Sequence, residues 1–175
     1  MIRPLTAADA AAAAKIAFAS MPQPWSEAAF VKEAVNSAFL LLGAFADADG
    51  TGGDDDGQDV SGIEDPSGTC GDASGALLGF IILALTPDDA ELTGIAVDAA
   101  FRRQGIAGAL LQAAREALSA RDIDRIVLEV RASNAPAIAF YEKHEFTCIG
   151  VRRNFYEDPR EDALVMTDQK ERNDD

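Results

Sequence analysis

The stretch Ile126-Val127-Leu128-Glu129-Val130-Arg131 sets one carboxylate among apolar neighbours in what reads as a buried strand. An unpartnered carboxylate is costly to bury, so Glu129 either faces a wet cleft or meets a cation, and Arg131 shares its face by the period of two. Burial in a narrow cleft would raise its pKa toward neutrality and suit it to take a proton from an amine. Downstream, Ala132-Ser133-Asn134-Ala135-Pro136 reads as a helix start, with a capping side chain and a proline in the first turn. Asn134, Ile138 and Tyr141 then share one helical face, and the two turns from Asn134 to Tyr141 span roughly 10.5 Å. A ligand laid along that face could meet both. Tyr141 is either a packed core aromatic or a phenol at a cleft wall, able to give its proton to a departing thiolate.

A second chemical feature lies upstream. Glu91 to Val97 reads as a strand that passes through a short turn into Arg102-Arg103-Gln104-Gly105-Ile106-Ala107-Gly108, where an Ala/Leu-rich helical pattern begins. Such a turn aims free backbone N–H groups and the positive end of a helix dipole at one point, which makes it an anion site. Gly105, Ala107 and Gly108 keep side chains out of the way, so a diphosphate could approach the backbone. The spacing is Arg-x-x-Gly-x-Ala, neither a Walker loop nor a dinucleotide fingerprint.

The elements that would carry these groups follow in order. Ile2–Leu5 is a short strand; Thr6 with Asp9 opens an alanine-rich helix to Phe18; Ser26 caps a second helix presenting Phe30, Val31, Ala34 and Val35 on one side. Trp25 is a core or rim aromatic. Strands follow over Phe39–Ala46, Ala76–Leu85 and Glu91–Val97, then the helix repeating Ile106, Ala109, Leu110, Ala113, Ala114, Ala117 and Leu118, the Glu129 strand, and the Asn134 helix ending near His144. Strands over Phe146–Val151 and Asp162–Met166, joined by a polar loop, close the sheet. His144, the only histidine, has no Gly-x-Ser-x-Gly elbow beside it and takes a structural role at a helix end.

The segment LEVRASN followed by A-I-x-x-Y-E, together with the phosphate-type turn after Ile95-Ala96-Val97, resembles the GCN5-related N-acetyltransferase (GNAT) superfamily. Within it the chain is similar to the RimI family of bacterial alanine N-acetyltransferases, which act on the N-terminus of small-subunit ribosomal protein eighteen. Pro24-Trp25-Ser26, Arg152-Arg153-Asn154-Phe155-Tyr156 and Glu161-Asp162-Ala163-Leu164-Val165-Met166 agree with that likeness. It implies an α/β (α+β mixed) GNAT fold: a mixed six- to seven-stranded sheet, about four helices, and fourth and fifth strands splayed apart around a thioester. It further implies Glu129 as general base and Tyr141 as general acid. Contacts to acetyl-CoA are implied for Ile95, Ala96, Val97, Arg103, Gln104, Gly105, Ile106, Ala107, Gly108 and Asn134, with no metal. Two departures stand out. Ala107 replaces the usual second glycine of the loop, and His144-Glu145 replaces the usual Leu-Gly, which puts Glu145 where a helix end favours φ > 0.

Length and charge bound the rest. A chain of 175 residues, 48% of them hydrophobic, suits one core, so residues 1–166 are expected to form one domain with a frayed tail at 167–175. Residues 47–75, rich in Gly, Asp and Ser, read as a disordered acidic insertion between the second and third strands. Nine acids lie between Asp47 and Asp72; removing them from the net −15 leaves −6, so most of the imbalance is local. No Lys or Arg occurs between Lys32 and Arg102, which disfavours a nucleic-acid partner and favours a basic acceptor such as a ribosomal protein N-terminus. With no membrane-length apolar run, no signal-peptide pattern and only Cys70 and Cys148, the expectation is a cytoplasmic monomer with free thiols. Two other readings stand beside this one: an N-terminal or lysine acetyltransferase of broader specificity, and a non-catalytic acyl-CoA-binding regulatory module.

Overall fold

The computed structural model describes residues 1–47 and 75–168. The expected acidic insertion lies outside the described residues except at its ends, Asp47 and Gly75, and so does the expected tail from 169 onward. Strands β1 (Ile2–Pro4), β2 (Phe39–Phe45), β3 (Leu77–Leu85), β4 (Ala90–Val97), β5 (Ile126–Arg131), β6 (Thr147–Glu157) and β7 (Arg160–Thr167) form one sheet. Their order is β1-β2-β3-β4-β5-β7-β6. Helices α1 (Ala10–Ser20), α2 (Glu27–Glu33), α3 (Ile106–Ser119) and α4 (Ala135–Lys143) complete the fold. The sheet is mixed, as expected.

Side-chain alternation along β2 shows why the sheet is buried on both faces. Leu40, Leu42 and Ala44 pack with Leu110, Leu111, Ala114 and Leu118 of α3, while Leu41 and Phe45 pack with Ala13, Ile16 and Ala17 of α1 and Phe30 of α2. The α1–α2 layer meets β2, β3 and β4 but not β5. On β5, Ile126, Leu128 and Val130 face the α3 side, so Glu129 faces the side that α1 and α2 leave uncovered. The apolar run that reads as a doubly buried strand is thus covered on one face and half open on the other.

β4 and β5 run parallel and pair only at Ala90–Ile126 and Glu91–Val127. Leu83 of β3 stands opposite Leu92, and Ile82 opposite Gly94, so Thr93 is an inserted residue that bends β4. Its hydroxyl donates to the Ile82 carbonyl at 3.1 Å and fixes the bulge. Beyond this point the two strands part, leaving the gap on which the site depends.

Three expectations need correction. Val31 is 40% and Val35 84% exposed, so only Phe30 anchors α2; the helix stops at Glu33 because Asn36 bonds that carboxylate and turns the chain. β6 continues through Arg152–Glu157, where a polar loop is expected; it is an exposed edge strand whose charged residues mask its periodicity. The tail does not begin at Thr167. That residue is buried, its hydroxyl donating to the Ile126 carbonyl, and Asp168 accepts from the Ile126 N–H at 2.7 Å and from Arg115 at 2.9 Å. The backbone at the start of β5 needs these partners, and the end of β7 supplies them.

The end of α4 matches its expectation. Glu145 has φ +68°, and the Phe146 N–H bonds the Tyr141 carbonyl at 3.0 Å, the six-to-one closure of a helix end. Replacing Glu145 by glycine should therefore stabilise the fold by about 0.5–1 kcal/mol. A thermal melt should rise by about 1–4 °C for a domain of this size.

Candidate active site

The gap between β4 and β5 opens into a cleft of about 490 Å³. Of the residues singled out in the sequence, Ile95, Ala96, Val97, Ala107, Glu129, Asn134 and Tyr141 line it. Arg103, Gln104, Gly105, Ile106 and Gly108 do not line it; the first three form the turn before α3, and Ile106 and Gly108 flank Ala107 in the helix's first turn. A larger hollow of about 730 Å³ lies at the other end, where β4 and β5 are still paired, and holds none of them. There Arg115 and Arg125 are committed to Asp168 and Asp89. Volume does not pick the site.

The turn is built as an anion cradle. Asp98 caps a short 3₁₀ segment, Ala99–Phe101, by accepting from the Ala100 N–H at 2.9 Å. Arg102 donates to the Val97 carbonyl at 3.1 Å and to Ser20 at 3.0 Å, which ties the end of β4 to the end of α1. Arg103 and Gly105 then take positive φ, +65° and +80°, and α3 begins. Its first intrahelical bond runs from the Ala109 N–H to the Gly105 carbonyl, so the N–H groups of Ile106, Ala107 and Gly108 point out of the helix start. A Cβ on Gly105 would meet nothing within 4 Å, whereas one on Gly108 would lie 3.0 Å from the His144 ring. Glycine at 105 thus serves the backbone turn, and glycine at 108 serves the packing of α3 on the end of α4. His144 is structural, its ring packed at a tilt against Phe140 with centroids 4.6 Å apart.

Strand β4 contributes backbone donors. The Asp98 N–H bonds the Leu78 carbonyl on β3, so by ladder alternation the Ile95 and Val97 N–H groups face the gap. Asn134 accepts from the Ala137 N–H at 3.3 Å as the α4 cap, which leaves its Nδ2 to donate into the cleft.

Glu129 enters from the open face of the sheet and Tyr141 from the α3 face, one on each side of the gap. Both alternatives for Glu129 hold together, since it faces the cleft and also meets a cation. That cation is Arg152 of β6, at 2.7 Å, and not Arg131, which pairs with Glu161 at 3.2 Å. Burial raises the Glu129 pKa; Arg152 pulls it back, and Glu91 pushes it up again. Tyr141 is 8% exposed, its ring packed against Phe140 and Phe146. Burial, with a smaller contribution from Tyr156, pushes its phenol up to about 12. Trp25 packs on Phe30 and Phe39 and also lines the cleft, so it is a rim aromatic.

Arg152, through its pairing with Glu129, and Tyr156 bear on the site and have no role in the sequence reading. Tyr156 lines the cleft, and the Arg131 guanidinium sits 4.1 Å above its ring. Both belong to the stretch read as a loop, and their only signal is the Arg-Arg-Asn-Phe-Tyr motif.

The acetyltransferase (GNAT) family pattern matches residues 40–146. The chain belongs to the GNAT acetyltransferase family. Among relatives, this acetyltransferase is 44% identical over 95 residues to the [ribosomal protein bS18]-alanine N-acetyltransferase of Escherichia coli (strain K12), covering 53% of this chain and 64% of that one. It is 39% identical over 92 residues to the putative enzyme of the same name from Bacillus subtilis (strain 168), covering 53% and 61%. The aligned part therefore spans somewhat under two thirds of those relatives. The crystal structure of the Escherichia coli ribosomal-protein-S18-alanine N-acetyltransferase superposes with TM-score 0.71 at 31% identity, covering 99% of this chain and 97% of that one. At 20% identity and TM-score 0.68, the PaiA N-acetyltransferase of Thermoplasma acidophilum in complex with coenzyme A shares the fold. Members of the GNAT family use acetyl-CoA.

The cradle gives a direct test of fit for that donor. Replacing Gly105 by valine puts a β-branched side chain at φ +80° and a Cβ into open space before the helix start. Acetyl-CoA affinity measured by calorimetry should fall by about tenfold or more, since ~1–2 kcal/mol of backbone strain is joined by loss of close approach. No protein contact is displaced, but the same strain should lower the melting temperature by about 2–8 °C for a domain of this size, so affinity is compared at a temperature where both proteins are folded.

Proposed function

We propose that this chain transfers acetyl from acetyl-CoA to the α-amine of an N-terminal alanine, with a basic ribosomal protein of the bS18 type as acceptor. The observation that carries this reading is one carboxylate and one phenol on opposite sides of the β4–β5 gap, with the anion cradle next to it. Likeness to bS18-alanine N-acetyltransferases supports the acceptor, and a net charge of −15 suits a basic one. Bound acetyl-CoA would supply an acyl thioester whose leaving group is a thiol.

The chain's own residues divide the work. The N–H groups at the start of α3 hold phosphates and supply position. The Val97 N–H is the donor available to a carbonyl oxygen that gains charge. An α-amine, with pKa about 8, is mostly ammonium at neutral pH, and Glu129 removes its proton, directly or through one water. Tyr141 donates to the departing sulfur. With a phenol near 12 and a thiol near ~8.5, it acts first as a hydrogen-bond donor and gives up its proton only once the desolvated thiolate is the stronger base.

Mass spectrometry of peptides starting Ala-Arg, beside lysine-bearing controls with blocked N-termini, tests the reading. One acetyl group on the α-amine alone is expected. Equal labelling of lysine would favour the broader acetyltransferase, and tight acetyl-CoA binding without transfer would favour the regulatory module.

A further inference from the structure

β6 lies two strands from β5, yet it supplies the cation that meets Glu129. In register, Arg152 stands opposite Ala163 of β7, and Ala163 opposite Arg131 of β5. The small, fully buried Ala163 lets the long Arg152 side chain cross β7. Arg131, nearer in sequence, is committed elsewhere: to Glu161, to the Asp158 and Pro159 carbonyls at 3.0 and 3.2 Å, and to the Tyr156 ring. Between Arg152 and Tyr156, three β6 residues face the single Asp162 of β7. The bulge is held by Asn154 at φ +53°, whose N–H bonds Asp162 at 2.8 Å. Two extra residues preserve parity, so Arg152 and Tyr156 both turn toward the cleft.

The pair is lopsided. Arg152 is 60% exposed and Glu129 20%, so the carboxylate is fixed while the cation sits largely in water. An exposed partner of this kind is held weakly and exchanges at little cost. The proposed acceptor brings a cation of its own.

We infer that Arg152 is a positioning residue that holds Glu129 ionised and aimed across the cleft, then yields its place to the ammonium of the acceptor. This rests on the reading of Glu129 as the base. In the step that follows, an ammonium N–H bond breaks, its proton passes to a Glu129 carboxylate oxygen, and the freed nitrogen lone pair forms the bond to the acyl carbon; the C–S bond then breaks, the thiolate takes the Tyr141 proton, and the nitrogen releases its second surplus proton to solvent, from which Tyr141 is reprotonated. The groups facing Glu129 are Arg152 and Tyr156 from β6, Glu91 from β4, Arg131 from the same face of β5 and the neutral Tyr141 of α4 in the same cleft; β7 presents apolar Val165. Arg131 is neutralised by Glu161, so Arg152 is the cation that favours the ionised form. Without it, burial and Glu91 act unopposed.

The test is the pH dependence of kcat/KM for an alanine-starting peptide, measured on the wild type, Arg152→Gln, Arg152→Lys and Arg152→Gln combined with Glu129→Gln. Arg152→Gln should lose about five- to tenfold at the acid end and rejoin the wild type on the alkaline plateau. There its acceptor KM should be no higher than that of the wild type, because a competing cation is gone. Arg152→Lys should return the acid limb toward the wild type, and in the Glu129→Gln background the loss of Arg152 should add nothing. A uniform loss at every pH, a lysine variant that tracks the glutamine one, or an additive loss in the double variant would each overturn the inference. Failure of the wild type to acetylate the peptide would defeat the proposed function itself. Normal wild-type transfer with an unmoved limb in Arg152→Gln would defeat only this step.

Discussion

Glu129→Gln is expected to lower turnover at pH 7 by about 10²-fold or more, the usual worth of a positioned general base. The amide keeps the shape and cannot accept the proton, so residual activity must draw on acceptor that is already neutral. That fraction grows until the pH passes the amine pKa of about 8. The variant should therefore recover part of its deficit as pH rises, whereas the wild type loses activity as pH falls through the raised Glu129 pKa. Stability separates this loss from unfolding. A carboxyl whose pKa is higher folded than unfolded favours the fold when protonated, and its ionised form is a net cost above the folded pKa. The amide carries no such cost at neutral pH, so the variant should melt no lower than the wild type. A variant with wild-type turnover at pH 7, assayed by thiol release, would remove Glu129 from the mechanism.

Tyr141→Phe is expected to cut turnover by about 10²-fold while acetyl-CoA affinity and melting temperature stay close to wild type. The ring keeps its contacts with Phe140 and Phe146, and only the hydroxyl is lost. Because the phenol is pushed up to about 12, Tyr141 stays protonated across ordinary assay conditions and puts no alkaline limb on the wild-type profile there. The deficit of the phenylalanine variant should accordingly be the same at pH 7 and pH 9. A donor with a better leaving group, such as an acyl thioester of an acidic aromatic thiol, should narrow the deficit, since a weakly basic thiolate needs less help in departing. Equal deficits with both donors would show that the hydroxyl acts on something other than the sulfur.

What the sequence makes legible is local. Ser26 and Asn134 read as caps and act as caps; the glycine at 105 reads as a turn and adopts φ +80°; Glu129 stands out because a carboxylate in an apolar strand demands a reason. Pairings set by strand order are not legible. Arg131 is the obvious partner of Glu129 by spacing, yet insertion of β7 between β5 and β6 brings Arg152 across to the carboxylate and gives Arg131 to Glu161. Edge strands are equally hard to read. β6 is exposed, charged and interrupted by a bulge, so it carries no alternation to betray it, and Tyr156 is legible only as part of a motif, without a role. Val35 fails for a different reason, because helical spacing cannot foresee that α2 ends at Glu33, while Val31, inside the helix, lies beside the single buried anchor Phe30 and stays exposed.

The measurement that bears most directly on the account is a crystal structure of the protein with acetyl-CoA bound. The pyrophosphate should accept from the N–H groups of Ile106, Ala107 and Gly108, and the acyl carbon should lie in the β4–β5 gap with Glu129 on one side and Tyr141 on the other. A cofactor seated in the larger hollow near Asp89 and Arg115, or an acyl group beyond hydrogen-bond or single-water reach of Glu129 and Tyr141, would contradict it.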